Sequence, residues 1–466
     1  MSRHCGTESN IEPTTIERLR AADGGMTCRA LGGARAGRAV VAALLAACRA
    51  PVPATAPAPP PATVVLVSFD GFRADYLDRR LPLPAFARLE AAGVRARALV
   101  PSFPSKTFPN HWTLVTGLLP GHHGIVANSF WDPVRQQEFR IRDTADVRDA
   151  SWYGGTPVWA LAERAGVRTG TVFWPGSEAP VGGVRPSHWL RYDPHLPDSA
   201  RVDTIAAWLS LPAAERPRFV AMYVSVADDS GHDAGPDAPA TDSAIVEADR
   251  TLGRLLDRLD AIPGGANVVV VSDHGMDAVA PGRVVDLSRC PDPAAWAGAR
   301  AGDPGPVLAL WLDDSTRVPA AEAALRRCFT GALAHAHAYT RADAPARWAV
   351  RAQPRAGDLL VVADSGWTVY PSAPEKPPHG GNHGWDPAAD RAMRAIFLAA
   401  GPQVRARGEI PAVDNVHVAP FLGALLGVSW PAGTIDGDPR VLAPLLDRRR
   451  LRTRRRPSPY ADHAAR

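Results

Sequence analysis

Three apolar segments of this chain run into an aspartate. Thr63–Phe69 (TVVLVSF) leads to Asp70 and Gly71, Phe219–Val226 (FVAMYVSV) to Ala227 and Asp228, and Asn267–Ser272 (NVVVVS) to Asp273, His274 and Gly275. Histidines accompany them: His232 lies four residues beyond Asp228, His274 adjoins Asp273, and His383 sits in the glycine-rich GGNHGWD. Carboxylate oxygen and imidazole nitrogen are ligands of zinc and similar cations. A single aspartate after a strand is an ordinary turn or cap, and a single histidine a surface or hydrogen-bonded residue. Four Asp/His clusters on one predicted sheet edge argue for a metal centre instead. Thr107, in PSFPSKTFPNHWTLVTG (Pro101–Gly117), offers that centre a hydroxyl. Pro104 and Pro109 punctuate the loop and a helical stretch follows, so Thr107 falls near a helix N-terminus, where free N–H groups favour an anion. A hydroxyl there, coordinated to zinc, can ionise near neutral pH and become a nucleophile. Taken alone, Thr107 reads as a helix cap.

The elements that must position these groups are legible as periodic patterns. Continuous apolar runs of this length are what strands buried on both faces look like, and Arg168–Trp174, Leu359–Ala363 and Arg394–Ala400 add to them. Helical patterns lie between, at Pro157–Gly166, Arg201–Leu211, Asp242–Ile262 and Val416–Gly427. The alternation predicts an α/β fold with a mostly parallel sheet covered by helices on both faces. In open parallel sheets ligands sit outside the carboxyl ends of the strands, which gathers the aspartates at one edge. A smaller cap insertion is expected at about 281–380, with a strand-like Val307–Leu312 and a helix near Ala320–Phe329.

The ends differ from the body. Ala39–Ala47 (AVVAALLAA) is far shorter than the roughly 20 residues of a membrane span; it follows Arg29, Arg35 and Arg38 and ends in Leu45-Ala46-Ala47-Cys48, which resembles a bacterial lipobox. Residues 1–47 read as a lipoprotein leader translated from Met26, with Cys48 lipidated; a plain secretory signal is the alternative. The expected location is the bacterial envelope, periplasmic or outer-membrane, held to the membrane through Cys48. Residues 48–62 are a Pro/Ala linker, 63–445 the catalytic domain, and 446–466 a basic tail. All but two of the 52 basic residues are arginine, Lys106 and Lys376 being the exceptions. Of the net +4, residues 1–47 carry +2 and 448–466 carry +7, which leaves −5 on residues 48–447. With its basic groups in a leader and a tail and no reading motif, the chain is not expected to form a stable nucleic-acid complex. Nothing in the sequence fixes its oligomeric state.

Seven blocks together resemble a known family. SFDGFR at Ser68, SKTFPNHWTLVTG at Ser105, HGIVANSFWDP at His123, FWPGSE at Phe173, DDSGHDAGP at Asp228, SDHGM at Ser272 and NHG at Asn382 look like the nucleotide pyrophosphatase/phosphodiesterase family of the alkaline-phosphatase superfamily, in the family's order and over residues 64 to about 425. The resemblance implies an alkaline-phosphatase-like fold and two zinc ions, the first held by Asp228, His232 and His383, the second by Asp70, Thr107, Asp273 and His274. It implies that Thr107 attacks phosphorus to give a phosphothreonine, which water activated by the first zinc hydrolyses. Asn128 and the backbone N–H of Phe108 would donate to the non-bridging oxygens. Phe108, Trp174 and Tyr192 would line a nucleoside pocket, with Tyr192 stacking on the base; core packing is the alternative for Trp174, which ends a predicted strand. Three carboxylates and an alkoxide balance two dications, so the site needs no further cation, which suits a diester or pyrophosphate better than a dianionic monoester.

The expected activity is hydrolysis of nucleotide diesters and pyrophosphates to nucleoside 5′-monophosphates. A choline or lipid-headgroup phosphodiesterase and a phosphatase are the alternatives within the superfamily, and a ligand-binding envelope lipoprotein the alternative outside it. The chain departs from the family at Val226-Ala227-Asp228-Asp229-Ser230, where the family often has Glu-Pro-Asp before Ser-Ser-Gly-His. Asp228 keeps the spacing to His232, and Asp229 is the other candidate. Cys290 and Cys328 lie in the body, and an oxidising envelope would permit a disulfide between them.

Overall fold

None of the seven residues of Thr63–Phe69 meets solvent, and this strand runs through the middle of the main sheet. Successive side chains alternate between faces: Val64 and Leu66 enter one hydrophobic core, and Val65, Val67 and Phe69 the other. A run buried on both sides therefore has to be apolar throughout. In this computed structural model the described residues are 62–447 and 449, with 406 and 407 excepted. The predicted leader with Met26 and Cys48, the linker up to residue 61 and nearly all of the basic tail lie outside them.

Thr63–Phe69 pairs in parallel with Phe219–Val224 on one side and Ala266–Val271 on the other. Beyond Phe219–Val224 come Thr169–Val172 and His188–Leu190, also parallel. Beyond Ala266–Val271 come Phe397–Ala400, Val94–Ala96 and Gly408–Ile410, completing eight strands. Phe397–Ala400 runs antiparallel to both of its neighbours. Helices cover both faces, Pro84–Ala92, Asp198–Leu209 and Pro239–Asp260 on one and Thr107–Thr116, Val158–Arg164 and Val418–Leu426 on the other. In Pro239–Asp260 the buried Ile245, Ala248, Leu252, Leu255, Leu256 and Leu259 repeat at helical spacing, so one stripe faces the sheet. The α/β architecture is the one expected from the alternation of patterns.

Two local expectations change, and a third element takes its place in the expected cap. The strand from Phe219 stops at Val224 and a helix, Val226–Ala234, begins at once, so Asp228 reaches the edge from the first turn of a helix, where the dipole favours carboxylates. Thr169–Val172 ends before Phe173, which takes φ +64°, so Trp174 lies beyond the strand. Leu359–Ala363 is outside the main sheet: it pairs antiparallel with Val307–Trp311 and Ala336–Thr340 in a separate four-stranded sheet that also holds Arg300–Ala301. A fully apolar run reports burial on both faces and says nothing of which sheet does the burying.

The small sheet has its own core, including Val285, Leu308, Leu310, Leu325 and Val361, with the helix Val318–Cys328 packed on it. Cys290 and Cys328 are joined by a disulfide, their Cα atoms 5.2 Å apart. Among the described residues no helix is long and apolar enough to cross a membrane. The disulfide spans 38 residues, and chain-entropy arguments give such a link ~2–4 kcal/mol. The Cys290→Ala/Cys328→Ala double variant is expected to lose about that much unfolding free energy in urea titration, and the unreduced wild-type protein to give no thiol signal from either cysteine when unfolded.

Candidate active site

The site begins with strand register. Phe69 lies opposite Val224 and Ser68 opposite Val271, so three neighbouring strands release the chain at the same height. Asp70, Asp228 and Asp273 follow these ends directly or after a few residues. Gly71 allows the close approach: it takes φ +65°, and a Cβ there would stand 2.8 Å from both Cα and Oδ1 of Asp228. Only glycine meets both conditions.

Two groups of ligand atoms result, Asp228/His232/His383 and Asp70/Asp273/His274, each with its atoms within 4.8 Å of one another. The imidazole rings of His274 and His383 stack at 3.5 Å, so the two groups adjoin. Every histidine turns Nδ1 to a backbone carbonyl at 2.9 Å, His274 to Gly275, His232 to Gly381 and His383 to Ser105. A carbonyl only accepts, so Nδ1 carries the proton and each Nε2 presents a lone pair to the cluster, the arrangement of a metal-binding imidazole. The Nε2 atoms lie 2.9 Å from Asp273 Oδ2 for His274, 3.5 Å from Asp228 Oδ2 for His232 and 3.8 Å from Asp228 Oδ1 for His383. The ambiguity between Asp228 and Asp229 is resolved geometrically. Asp229 also borders the cleft but stands outside the ligand group and accepts a hydrogen bond from the Ser225 hydroxyl at 2.8 Å.

Three carboxylate oxygens, Asp70 Oδ1, Asp228 Oδ1 and Asp273 Oδ2, are buried without a hydrogen-bond partner. Burial, with Asp273 and Asp228 close by, pushes the Asp70 carboxyl well above its ordinary range. Burial raises Asp228 as well, against the pull of His232. Burial also presses on Asp273, but the imidazoles of His274 and His111 outweigh it and hold that carboxyl well below the usual range. Burial drives His383 far down, helped by His274 and Lys106. Buried carboxylates with orphaned oxygens facing imidazole lone pairs are costly without a cation. These residues fit divalent metal ions.

Thr107 is the first residue of the helix Thr107–Thr116, and Lys106 holds the cap position in extended backbone. The capping role that Thr107 has when read in isolation is therefore not the one it takes; its Oγ1 stands 3.3 Å from Nε2 of His274. Beside it opens a cleft of ≈ 620 Å³ bordered by Thr107, Phe108, Asn128, Trp174, Tyr192 and His232, among others. Tyr192 is 49% exposed and forms a T-shaped pair with Phe173. Trp174 is 1% exposed and donates its indole N–H to the His111 carbonyl at 3.3 Å, so it is a packed wall of the cleft. The Phe108 N–H, expected to be free for a phosphate oxygen, donates to Asn128 Oδ1 at 3.0 Å. That bond fixes the Asn128 amide with its NH₂ left to donate.

Two residues were not anticipated. His111 sits one turn after Thr107, its Nδ1 2.9 Å from the Thr107 carbonyl and 3.4 Å from Asp273 Oδ2, its Nε2 2.8 Å from Ser68 Oγ. The i, i+4 spacing from Thr107 was the available signal. Tyr223 donates its hydroxyl to Asp70 Oδ2 at 2.6 Å; inside an apolar strand it reads as core, and no sequence signal sets it apart.

Residues 64–386 match the model of the type I phosphodiesterase/nucleotide pyrophosphatase family. The chain belongs to that family. It is 34% identical over 374 residues to human ectonucleotide pyrophosphatase/phosphodiesterase family member 5, covering 78% of this chain and 74% of the relative. It is 33% identical over 386 residues to the bis(5′-adenosyl)-triphosphatase enpp4 of Xenopus laevis, covering 82% and 81%. The solved structure of human family member 5 superposes with a TM-score of 0.76 at 31% identity, over 83% of this chain and 100% of that one. An inactive threonine-to-alanine variant of the murine protein, in complex with AMP, gives 0.75 at 32%, again over 83% and 100%. The chain is thus a hydrolase of this family on an alkaline-phosphatase-like fold, and the family's metal dependence agrees with the two ligand groups.

Metal binding to the native state alone adds stability, ~2.7 kcal/mol at a hundredfold excess over Kd. Adding Zn²⁺ to exhaustively chelated protein is expected to raise its melting temperature in a calorimetric scan. The rise should shrink as the pH is lowered, because ligands must be deprotonated and burial makes Asp70 and Asp228 hold their protons. No rise at neutral pH would contradict the metal-site assignment.

Proposed function

We propose that the protein hydrolyses nucleotide pyrophosphates and phosphodiesters to nucleoside 5′-monophosphates, with two zinc ions and a covalent phosphothreonine at Thr107. The observation that carries this reading is the position of Thr107 Oγ1 at the helix N-terminus, 3.3 Å from His274 Nε2 and beside the three orphaned carboxylate oxygens. Asp228, His232 and His383 would hold one ion, and Asp70, Asp273 and His274, with Thr107, the other. When bound, such ions lower the pKa of a coordinated hydroxyl and stabilise charge on the attacking and leaving oxygens.

The chain's own residues account for the rest. Thr107 Oγ1 gives up its proton to solvent and forms a bond to phosphorus, the bond to the leaving oxygen breaks, that oxygen keeps the electron pair and takes a proton from water, and a threonine phosphodiester of the nucleoside remains. Water then attacks the same phosphorus, restores the Thr107 hydroxyl and frees the 5′-monophosphate. The Asn128 NH₂, held in place by the Phe108 N–H, donates to a non-bridging oxygen as charge develops. Tyr192, half-exposed at the cleft, would stack on the base, and Phe108 lines the same cleft. The murine relative's inactive threonine-to-alanine variant, solved with AMP, supports both a threonine nucleophile and a nucleotide ligand. The membrane anchor at Cys48 and the envelope location belong to the proposal as well, on the strength of the leader sequence.

With a dinucleoside polyphosphate as substrate, Thr107→Ala is expected to abolish turnover while keeping the metal content of wild type. Asn128→Ala should lower kcat by roughly 10²–10³. Tyr192→Ala should raise KM for the nucleotide by the worth of one stacked base, ~1–3 kcal/mol, with a much smaller change on bis-p-nitrophenyl phosphate. Full activity in Thr107→Ala, or after complete metal removal, would refute the mechanism.

A further inference from the structure

A phosphodiester carries two substituents, and two cavities share Asn128 as a common wall next to Thr107. The first is the cleft bordered by Phe108 and Tyr192. The second, of ≈ 120 Å³, is lined by Lys106, Asn128, Val307, Ala309, Trp311 and Leu360, among others. Thr107 stands between Lys106, which borders the second cavity, and Phe108, which borders the first; Asn128 borders both. The far walls differ in origin: Val307, Ala309, Trp311 and Leu360 all come from the small four-stranded sheet.

Lys106 links the second cavity to the Asp228/His232/His383 group. Lys106 packs over Gly384, next to His383, so closely that a Cβ on Gly384 would stand 2.7 Å from Lys106 Cε and 3.3 Å from its Nζ. The walls are mostly apolar, and Arg355, which also lines them, is committed elsewhere, donating to Asp132 Oδ2 at 2.8 Å and to the carbonyls of Gly124 and Trp152. An apolar cavity of about 150 Å³ in another protein takes up benzene, so this one matches a single aromatic ring or a short branched alkyl group.

We propose that this cavity is the leaving-group subsite and selects nucleotide diesters whose leaving alcohol carries a compact apolar group, an aryl ring above all. The inference rests on the phosphodiesterase reading given under Proposed function. In-line displacement sends the leaving oxygen away from Thr107, and the nucleoside already fills the larger cleft, so the two substituents need separate places. As the Thr107–phosphorus bond forms, the bond to the leaving oxygen breaks, and the departing oxygen keeps the electron pair and takes a proton from water. The small sheet thus forms part of the active site.

The test compares the p-nitrophenyl and trifluoroethyl esters of one nucleoside 5′-monophosphate, in wild type and in Ala309→Phe, which fills the cavity. Taking the ratio of kcat/KM for the two esters in each protein cancels the intrinsic reactivity of the leaving groups. That ratio is expected to fall at least tenfold in Ala309→Phe; a ratio within twofold of wild type would overturn the proposal. Val307→Ala enlarges the same wall and is expected to raise the ratio for a naphthyl over the p-nitrophenyl ester at least threefold, so a misfolded Ala309→Phe still leaves a decision, and no rise would count against the cavity. Wild type inactive on all three esters would overturn the diesterase reading itself, whereas activity with unchanged ratios overturns the subsite alone.

Discussion

Mutual repulsion among three buried carboxylates is the constraint around which the rest of this molecule is arranged. Asp70 and Asp273 follow adjacent strands and lie almost wholly out of water, Asp228 joins them from the first turn of a helix with its side chain mostly covered, and three of their oxygens are left without donors. A cluster of this kind is tolerable only if cations enter it, and the surroundings are built to receive them. The histidines have their Nδ1 protons tied to backbone carbonyls, so their lone pairs face inward. The nearby Lys106 is a poor substitute for a metal ion, since burial pulls its ammonium down to about 8 against the pull of Asp303 and Asp228.

A second layer holds this arrangement in place. The Tyr223 hydroxyl fixes the outer oxygen of Asp70, the Gly71 N–H reaches Asp273 Oδ1 at 3.3 Å, and His111 bridges the Thr107 helix to Ser68 on the central strand. These contacts tie the nucleophile's helix to the sheet edge by short polar links inside an apolar core, where hydrogen bonds are strong and misplacement is costly. The cleft beside them divides its labour between Trp174, packed against His111 as a rigid wall, and Tyr192, which stays half-exposed.

Much of this was legible in the sequence because burial and chemistry coincide there. A strand covered on both faces must be apolar throughout, so the polar residue that ends it stands out, and Asp70 and Asp273 were found that way. Asp228 was found at the right place for an incomplete reason, since the apolar run hides the switch from strand to helix after Val224. Leu359–Ala363 fell within the expected cap insertion, but its partner strands were not legible, because an apolar run carries no information about its partner. The turn at Phe173 was hidden because positive φ at a bulky residue is imposed by tertiary packing. Tyr223 was invisible for the same reason that Trp174 was ambiguous: an aromatic side chain in a core and one in a site look alike until a polar tip finds its partner.

The lone antiparallel strand, Phe397–Ala400, also bears on how the protein is made. It lies between Val94–Ala96 and Ala266–Val271, and the latter itself pairs with Thr63–Phe69, so neighbours in the sheet lie more than a hundred residues apart in the chain. Contacts of such sequence separation form slowly, after a large loss of chain entropy. The metal ligands, spread from Asp70 to His383, cannot be brought together until most of the polypeptide is present. Synthesis and metal loading are therefore separated in time, and the nascent chain exposes its aspartates and histidines individually, as weak ligands, before the finished sheet makes them a site.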